Sequence, residues 1–235
     1  MPRLCQTDGL TEDQTEILKA VRQFVDEQII PVAQELEHKD EYPQQIVDQM
    51  KEMGIFGLMI PEEYGGLGES LLTYALCVEE IARGWMPVSG IINTHFIVSY
   101  MLIHHGTEEQ KHRWIAPTLR GEIVWCQGYS EPGAGSDLAS IQTRAEDRGD
   151  HWIVNGQKIW TSYADKADWI FCLVRTDPEA PKHLGISFVL FDMRTPGVTT
   201  RPITLISGKS PFCETFFDDV RVEKENLVGT LNRGW

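Results

Sequence analysis

The hydrophobic period of this chain changes once, near Gly121, and that change restricts it to a helix-built part followed by a strand-built part. Before the change, apolar residues recur at helical spacing. Thr11 and Gln14 have the pattern of a capping box, in which hydroxyl and amide side chains satisfy free backbone N–H groups, and Ile17, Leu18, Val21, Phe24 and Val25 follow on one stripe. Pro31 is expected to kink or end that helix, because it lacks an N–H and crowds the preceding turn. Pro43 suits a first helical turn, with Ile46, Val47, Met50 and Met53 on one face and Gly54 as a stop. A helix over 71–83 should stop at Gly84. The next, over 88–105, is apolar nearly all round and is expected to be the most buried. Thr107 with Gln110 is a second capping box, opening a helix towards Leu119 across Pro117.

After Gly121 the composition favours strands, rich in Val, Ile, Phe, Trp and Thr, over 123–129, 142–146, 151–154, 158–160, 169–175, 186–191, 198–205 and 214–222. Asn155-Gly156 predicts a type I′ hairpin, and Arg148-Gly149-Asp150 a second turn. No helical pattern separates the strands, which argues for an antiparallel sheet or barrel rather than a Rossmann unit. The expected fold class is therefore α+β: an N-terminal all-helical domain over 1–121, then an antiparallel, β-barrel-like middle domain over 122–235.

The formal net charge is −14 over 235 residues, which argues against nucleic-acid or anionic-membrane partners, since both need a basic footprint. It leaves room for phosphorylated ligands held by helix N-termini and local Arg or Lys. Cys5, Cys77, Cys126, Cys172 and Cys213 show no CxxC spacing and are expected to be free thiols in a reducing compartment, hence a cytoplasmic chain. No membrane span is expected, because the best candidate, 88–103, is interrupted by Ser89, Gly90, Asn93, Thr94, His95, Ser99 and Tyr100. The N-terminus has neither a signal-type apolar run nor an Arg-rich presequence.

Two blocks carry candidate chemistry, Ser130-Glu131-Pro132-Gly133-Ala134-Gly135-Ser136-Asp137 and Asn155-Gly156-Gln157-Lys158-Ile159-Trp160-Thr161-Ser162. Each runs from a strand-like segment into small residues and hydroxyls. The first is a Gly-rich turn that can also act as a nest of N–H groups for a carbonyl oxygen or an anion. It is neither a Walker sequence nor GxGxxG opening a helix. Trp160 can be core, or can stack on a flat ligand whose edge the two following hydroxyls bond. His104, His105 and His112 lack ligand spacing and are expected to be exposed helix-end residues, so no metal is assigned. His95 is expected to be a packed core histidine. Asp218-Asp219 is expected to be a strand end, Glu62-Glu63 and Glu79-Glu80 solvated faces, and no residue is assigned a catalytic role.

Taken together, Pro61-Glu62-Glu63-Tyr64-Gly65-Gly66, the run 127–137, the run 155–162, and Phe216-Phe217-Asp218-Asp219-Val220-Arg221-Val222 followed by Asn226-Leu227-Val228-Gly229 resemble acyl-CoA dehydrogenases across essentially the whole chain. The wording is closest to bacterial members, including those acting on bulky or dicarboxylic esters. The resemblance implies an FAD flavoprotein of fatty acid metabolism that dehydrogenates an acyl-CoA to the trans-2-enoyl-CoA. It also implies an electron-transfer flavoprotein as acceptor and a homo- or hetero-oligomeric assembly. Carried over by position, Gln127, Tyr129 and Ser130 would line the isoalloxazine edge. Gly135 and Ser136 would sit near the flavin and the acyl thioester, with Ser136 the substrate contact. Trp160, Thr161 and Ser162 would cover and hydrogen-bond the ring. Ser130 and Ser162 stand where other members often have Thr, so the hydroxyl is kept. The family's catalytic carboxylate lies in a C-terminal helical bundle. The chain is therefore expected to be a truncated form that binds FAD weakly and does not turn over acyl-CoA. The alternatives are a non-catalytic scaffold subunit and an acyl-CoA oxidase-like flavoenzyme.

Overall fold

The computed structural model of the chain describes residues 8–235, so Cys5 lies outside the described residues. The chain divides into two compact units, with the boundary after Phe96.

In the first unit, α1 (Glu12–Phe24) opens on the expected capping box: Gln14 N–H donates to Thr11 Oγ1 at 3.2 Å, and Thr11 N–H donates to Gln14 Oε1 at 3.1 Å. Leu18, Val21 and Phe24 are buried. Pro31 does not end the helical run. A π turn over Val25–Ile29 joins α1 directly to α2 (Ile30–Lys39), with Ile30 N–H donating to Val25 O. The wider turn shifts the hydrogen-bond register just where the proline ring and its missing N–H would otherwise break it. Next, α3 (Gln44–Glu52) buries Ile46, Val47 and Met50. The block 61–66 forms a short 3-10 turn over Glu62–Tyr64, in which Gly65 N–H and Gly66 N–H return to Glu62 O and Pro61 O.

The longest helix, α4 (Leu71–His105), is broken at Trp85 (φ −160°, ψ 103°), so it is two helices in sequence, as the spacing predicts. Gly84 has a packing role beside that break: a Cβ there would lie 2.7 Å from Val25 Cγ1 and 3.0 Å from Ile29 Cγ2. The second half is not the most buried element, contrary to expectation. Val88, Ile92, Val98 and Leu102 form one buried stripe, whereas Tyr100, His104 and His105 are exposed. His95 is packed as expected, its Nδ1 2.9 Å from Ile91 O and its ring edge-on to Phe56. Glu80 departs from the solvated-face expectation: it is buried and paired with Arg22 (3.3 Å) and Arg83 (2.9 Å). By length and mean hydropathy (1.4), α4 is apolar enough to cross a membrane, also contrary to expectation. It is broken at Trp85 and carries the doubly paired Glu80.

The second unit begins with the end of α4. The second capping box holds, and α5 (Glu108–Leu119) runs through Pro117. It belongs with the strands: Gln110 Nε2 donates to Glu225 O (2.7 Å) and Leu227 O (2.8 Å), and Trp114 packs on Trp125 and Trp169. The strands are β1 (Trp125–Gly128), β2 (Arg144–Asp147), β3 (His151–Ser162), β4 (Trp169–Arg175), β5 (Ile186–Asp192), β6 (Val198–Pro202), β7 (Phe212–Glu223) and β8 (Leu227–Val228). They make one open sheet in the order β6-β7-β3-β2-β4-β5-β8, with β1 beside β4. The sheet does not close into a barrel, because β6 and β8 end the path without meeting. It is also not purely antiparallel. Both β1 and β2 run parallel to β4, along the same edge, with Gly128 opposite Cys172 and Arg144 opposite Arg175. In effect β1 and β2 are one strand interrupted by an excursion over residues 129–143. Pro132, without an N–H, and the glycines beside it suit the interruption.

Two further corrections concern β3 and β7. Asn155-Gly156 is not a hairpin. It lies inside β3, at a register shift against β7 between Val154 and Gly156. The hairpin is the other predicted turn, Arg148-Gly149-Asp150, closed by Arg148 N–H on His151 O at 2.9 Å. Asp218-Asp219 likewise lies within β7 rather than at its end. Cys126, Cys172 and Cys213 are buried among Val154, Ile170, Val189, Phe191, Phe217 and Val220. Burial pushes the Cys126 thiol well up and the Cys172 thiol to about 11, so neither is poised as a thiolate.

Candidate functional site

The interruption between β1 and β2 leaves a gap inside the sheet, between β3 and β4, and the candidate residues gather around that gap. Gln127 is half-buried in β1, opposite Phe171 of β4. Tyr129 follows, half-buried and edge-on to Phe171 at 5.8 Å. Burial pushes its phenol up to about 12, so the hydroxyl stays protonated and able to donate. Ser130 O accepts Ile159 N–H at 2.9 Å, which ties the start of the loop to β3. Glu131 and Ala134 exchange backbone hydrogen bonds of 3.0 Å around Pro132-Gly133. Gly135 and Ser136 come next, both exposed, and a Cβ at Gly135 would meet nothing within 4 Å. Asp137 closes the run through Ser140 (2.6 Å) and Lys182.

The second wall is the C-terminal end of β3. Strand alternation would put Trp160 on the same inward side as Lys158. A register shift against β7 between Lys158 and Thr161 changes that. Trp160 takes a left-handed backbone (φ 61°), is 57% exposed, and touches Phe212 edge-on at 6.2 Å. The bulge has re-aimed a large aromatic outward, at a backbone cost of about 1–3 kcal/mol. Thr161 takes the inward position instead. It is fully buried, and its hydroxyl has no hydrogen-bond partner among the described residues. Ser162 turns outward again and is exposed, opposite Phe212. Trp160 and Ser162 therefore share the open side of β3, while the Thr161 side chain faces the core. At about 3.3 Å per strand residue, Ser162 stands within roughly 10 Å of the Ser130 contact at Ile159.

One pair beneath the site was missed in the sequence. Lys158 is 0% exposed and Glu131 7%. Lys158 Nζ donates to Glu131 Oε1 at 2.8 Å and to Tyr129 O at 3.1 Å. The same carboxylate accepts Gln142 N–H at 2.6 Å and Thr143 N–H at 2.9 Å. Burial works against ionisation of Glu131, but the ammonium and the two amide donors outweigh it and hold the carboxyl below its usual 4.5. The available signal was weak: each residue sat inside a candidate block, but nothing local links positions 131 and 158.

The other two blocks serve the fold. Within residues 216–229, Asn226 is buried in a 3-10 turn, and Leu227 and Val228 pair with β5. His104, His105 and His112 are exposed.

The donor set at the opening is an outward indole face, the hydroxyls of Ser130, Ser136, Ser162 and Tyr129, and a glycine loop with open space beside it. That chemistry fits a flat aromatic ring system with polar edges. The acyl-CoA dehydrogenase N-terminal domain family matches residues 11–122, and the acyl-CoA dehydrogenase middle domain family matches residues 126–220. Acyl-CoA dehydrogenase FadE29 of Mycobacterium tuberculosis is 38% identical over 229 residues, 96% of this chain and 59% of that protein. A solved glutaryl-coenzyme A dehydrogenase in complex with glutaryl-CoA superposes with a TM-score of 0.89 at 34% identity, covering 97% of this chain and 59% of that one. The ChsE4–ChsE5 complex from Mycobacterium tuberculosis gives a TM-score of 0.84 at 34% identity, covering 98% and 60%. The chain spans 19 to 59% of the lengths of the first curated relatives it matches.

Proposed function

The chain belongs to the acyl-CoA dehydrogenase family, and we propose that it supplies one wall of a site where FAD oxidises an acyl-CoA thioester to the trans-2-enoyl-CoA. The observation that carries this is Trp160, held outward in a left-handed backbone beside the exposed Ser162, at the end of the strand that binds the Ser130 loop. The left-handed backbone at Trp160 costs about 1–3 kcal/mol, which a ligand stacked on the indole would offset.

In this reading the Trp160 indole would offer its face to the flavin ring system. Ser162 and Ser130 offer hydroxyls to its polar edge, with Gln127 and the protonated Tyr129 phenol beside them. Ser136 and the N–H groups around Gly135 face the thioester, where donors to the carbonyl oxygen stabilise the negative charge that develops when the α-proton leaves. The Thr161 side chain holds the strand end in the core rather than touching ligand. FAD, when bound, supplies the acceptor for the β-hydride. The acceptor in turn is an electron-transfer flavoprotein. The assembly is an oligomer of like or unlike chains, a reading supported by the similarity to the ChsE4–ChsE5 complex.

The test is addition of short-chain, dicarboxylic and bulky CoA esters to the FAD-loaded chain, read in the flavin's visible spectrum. No residue among those described is assigned as the base, so one of the esters should perturb the flavin absorbance without yielding enoyl-CoA. An unperturbed spectrum with every ester contradicts the reading.

A further inference from the structure

We propose that the buried Lys158–Glu131 pair is the positioning device of the flavin- and thioester-facing loop, fixing where residues 130–136 stand against the open end of β3. The effect on flavin binding rests on the function proposed above; the control of the loop does not.

The argument begins with the cost of the pair. An ammonium and a carboxylate taken out of water are rarely kept for stability alone, because apolar side chains of similar size fill the same space at least as well. What this pair does that an apolar pair cannot is hold the chain at three places. Lys158 Nζ binds the exit of the loop at Tyr129 O and Glu131 Oε1. Glu131 binds the return of the loop at Gln142 N–H and Thr143 N–H. Lys158 itself sits in β3, next to Ile159, whose N–H binds Ser130 O.

The sheet topology shows why those amides need such a partner. Along one side of β4, β1 ends opposite Cys172 and β2 starts opposite Arg175. Thr143 O still accepts Arg175 N–H at 2.7 Å, but the N–H groups of Gln142 and Thr143 are taken by a side chain and not by a strand. The Glu131 carboxylate stands in for a backbone acceptor at both, and Lys158 neutralises it. The ten residues 132–141 are then an excursion closed at its base by one ion pair. Gly135 and Ser136 ride on that excursion, just past the turn made by Glu131 and Ala134. Loosening the base leaves the sheet on either side intact and sets the loop free.

The test uses the double variant Lys158→Met/Glu131→Gln, which removes both buried charges at once, with Glu131→Gln alone as the second variant. Amide hydrogen exchange is read at Gln142 and Thr143 against the β4–β5 amides, and FAD affinity is read in parallel. Exchange at Gln142 and Thr143 should rise at least about tenfold while β4–β5 stays protected, as for a local rather than global opening. FAD affinity should fall about tenfold through lost preorganisation. A purely structural role would instead raise exchange throughout the sheet. Wild-type exchange at both amides overturns the proposal, and so does faster exchange with unchanged FAD affinity. A wild-type chain that binds no FAD overturns the function proposed above, and exchange at the two amides still decides whether the pair holds the loop.

Discussion

Asn155 and Asp219 clasp each other across β3 and β7: Asn155 Nδ2 donates to Asp219 Oδ1, and Asp219 N–H donates to Asn155 Oδ1, both at 2.9 Å. Asp219 is in a left-handed backbone (φ 50°), so the clasp fixes the irregularity on both strands at once. Asn155→Ala removes both bonds and should cost about 1–2 kcal/mol in urea unfolding. Asn155→Asp should cost more at neutral pH, because it places a second carboxylate against Asp219 and removes the donor. An Asp variant as stable as the Ala variant would show that the clasp contributes nothing beyond shape.

Gly156 gives the second prediction. Its φ of 151° is one that side chains rarely adopt, and a Cβ would lie 2.6 Å from Thr143 Oγ1 and 2.7 Å from Thr143 Cα. Backbone strain and overpacking each cost about 1–3 kcal/mol, so Gly156→Ala should lose several kcal/mol or fail to accumulate as folded protein. Thermal unfolding checks it; a loss below about 1 kcal/mol would mean that Thr143 and its loop yield easily.

These two positions also show what could be read from the chain. The capping boxes at Thr11 and Thr107 were legible because both partners lie within one turn. The strand β4 was legible end to end, because its apolar run is buried on both faces. Asn155-Gly156 misled because its dipeptide chemistry is that of a hairpin, whereas its partners, Thr143 and Asp219, are distant in sequence. The pairing of Lys158 with Glu131 was not legible, because only the fold brings the two residues together. The outward turn of Trp160 depends on a register shift set by β7, which no local pattern encodes. At Pro31 the spacing predicts a kink or an end without choosing between them, because the π turn that accommodates it has no sequence signature of its own.

Acid titration separates Glu131 from the surface carboxylates. Its carboxyl is held below 4.5 in the folded chain, so the unfolded chain takes up a proton first as the pH falls. The stability it contributes is complete above the unfolded value and is lost as the pH drops through the lower folded value. Wild type and Glu131→Gln should therefore differ most in unfolding midpoint near neutral pH, and the gap should close below that folded value. A gap that stays constant into acid would show that Glu131 acts by shape and not by charge.

Titration of FAD into the chain, followed by flavin fluorescence, tests the central claim, that an aromatic cofactor covers the open end of β3. Wild type should bind saturably. Trp160→Ala and Ser162→Ala should each weaken binding by about tenfold, the scale of one lost stacking or hydrogen-bond contact in a desolvated site. Thr161→Val should bind as wild type does, because that hydroxyl faces the core. No saturable binding, or equal affinity in wild type, Trp160→Ala and Ser162→Ala, would contradict the account.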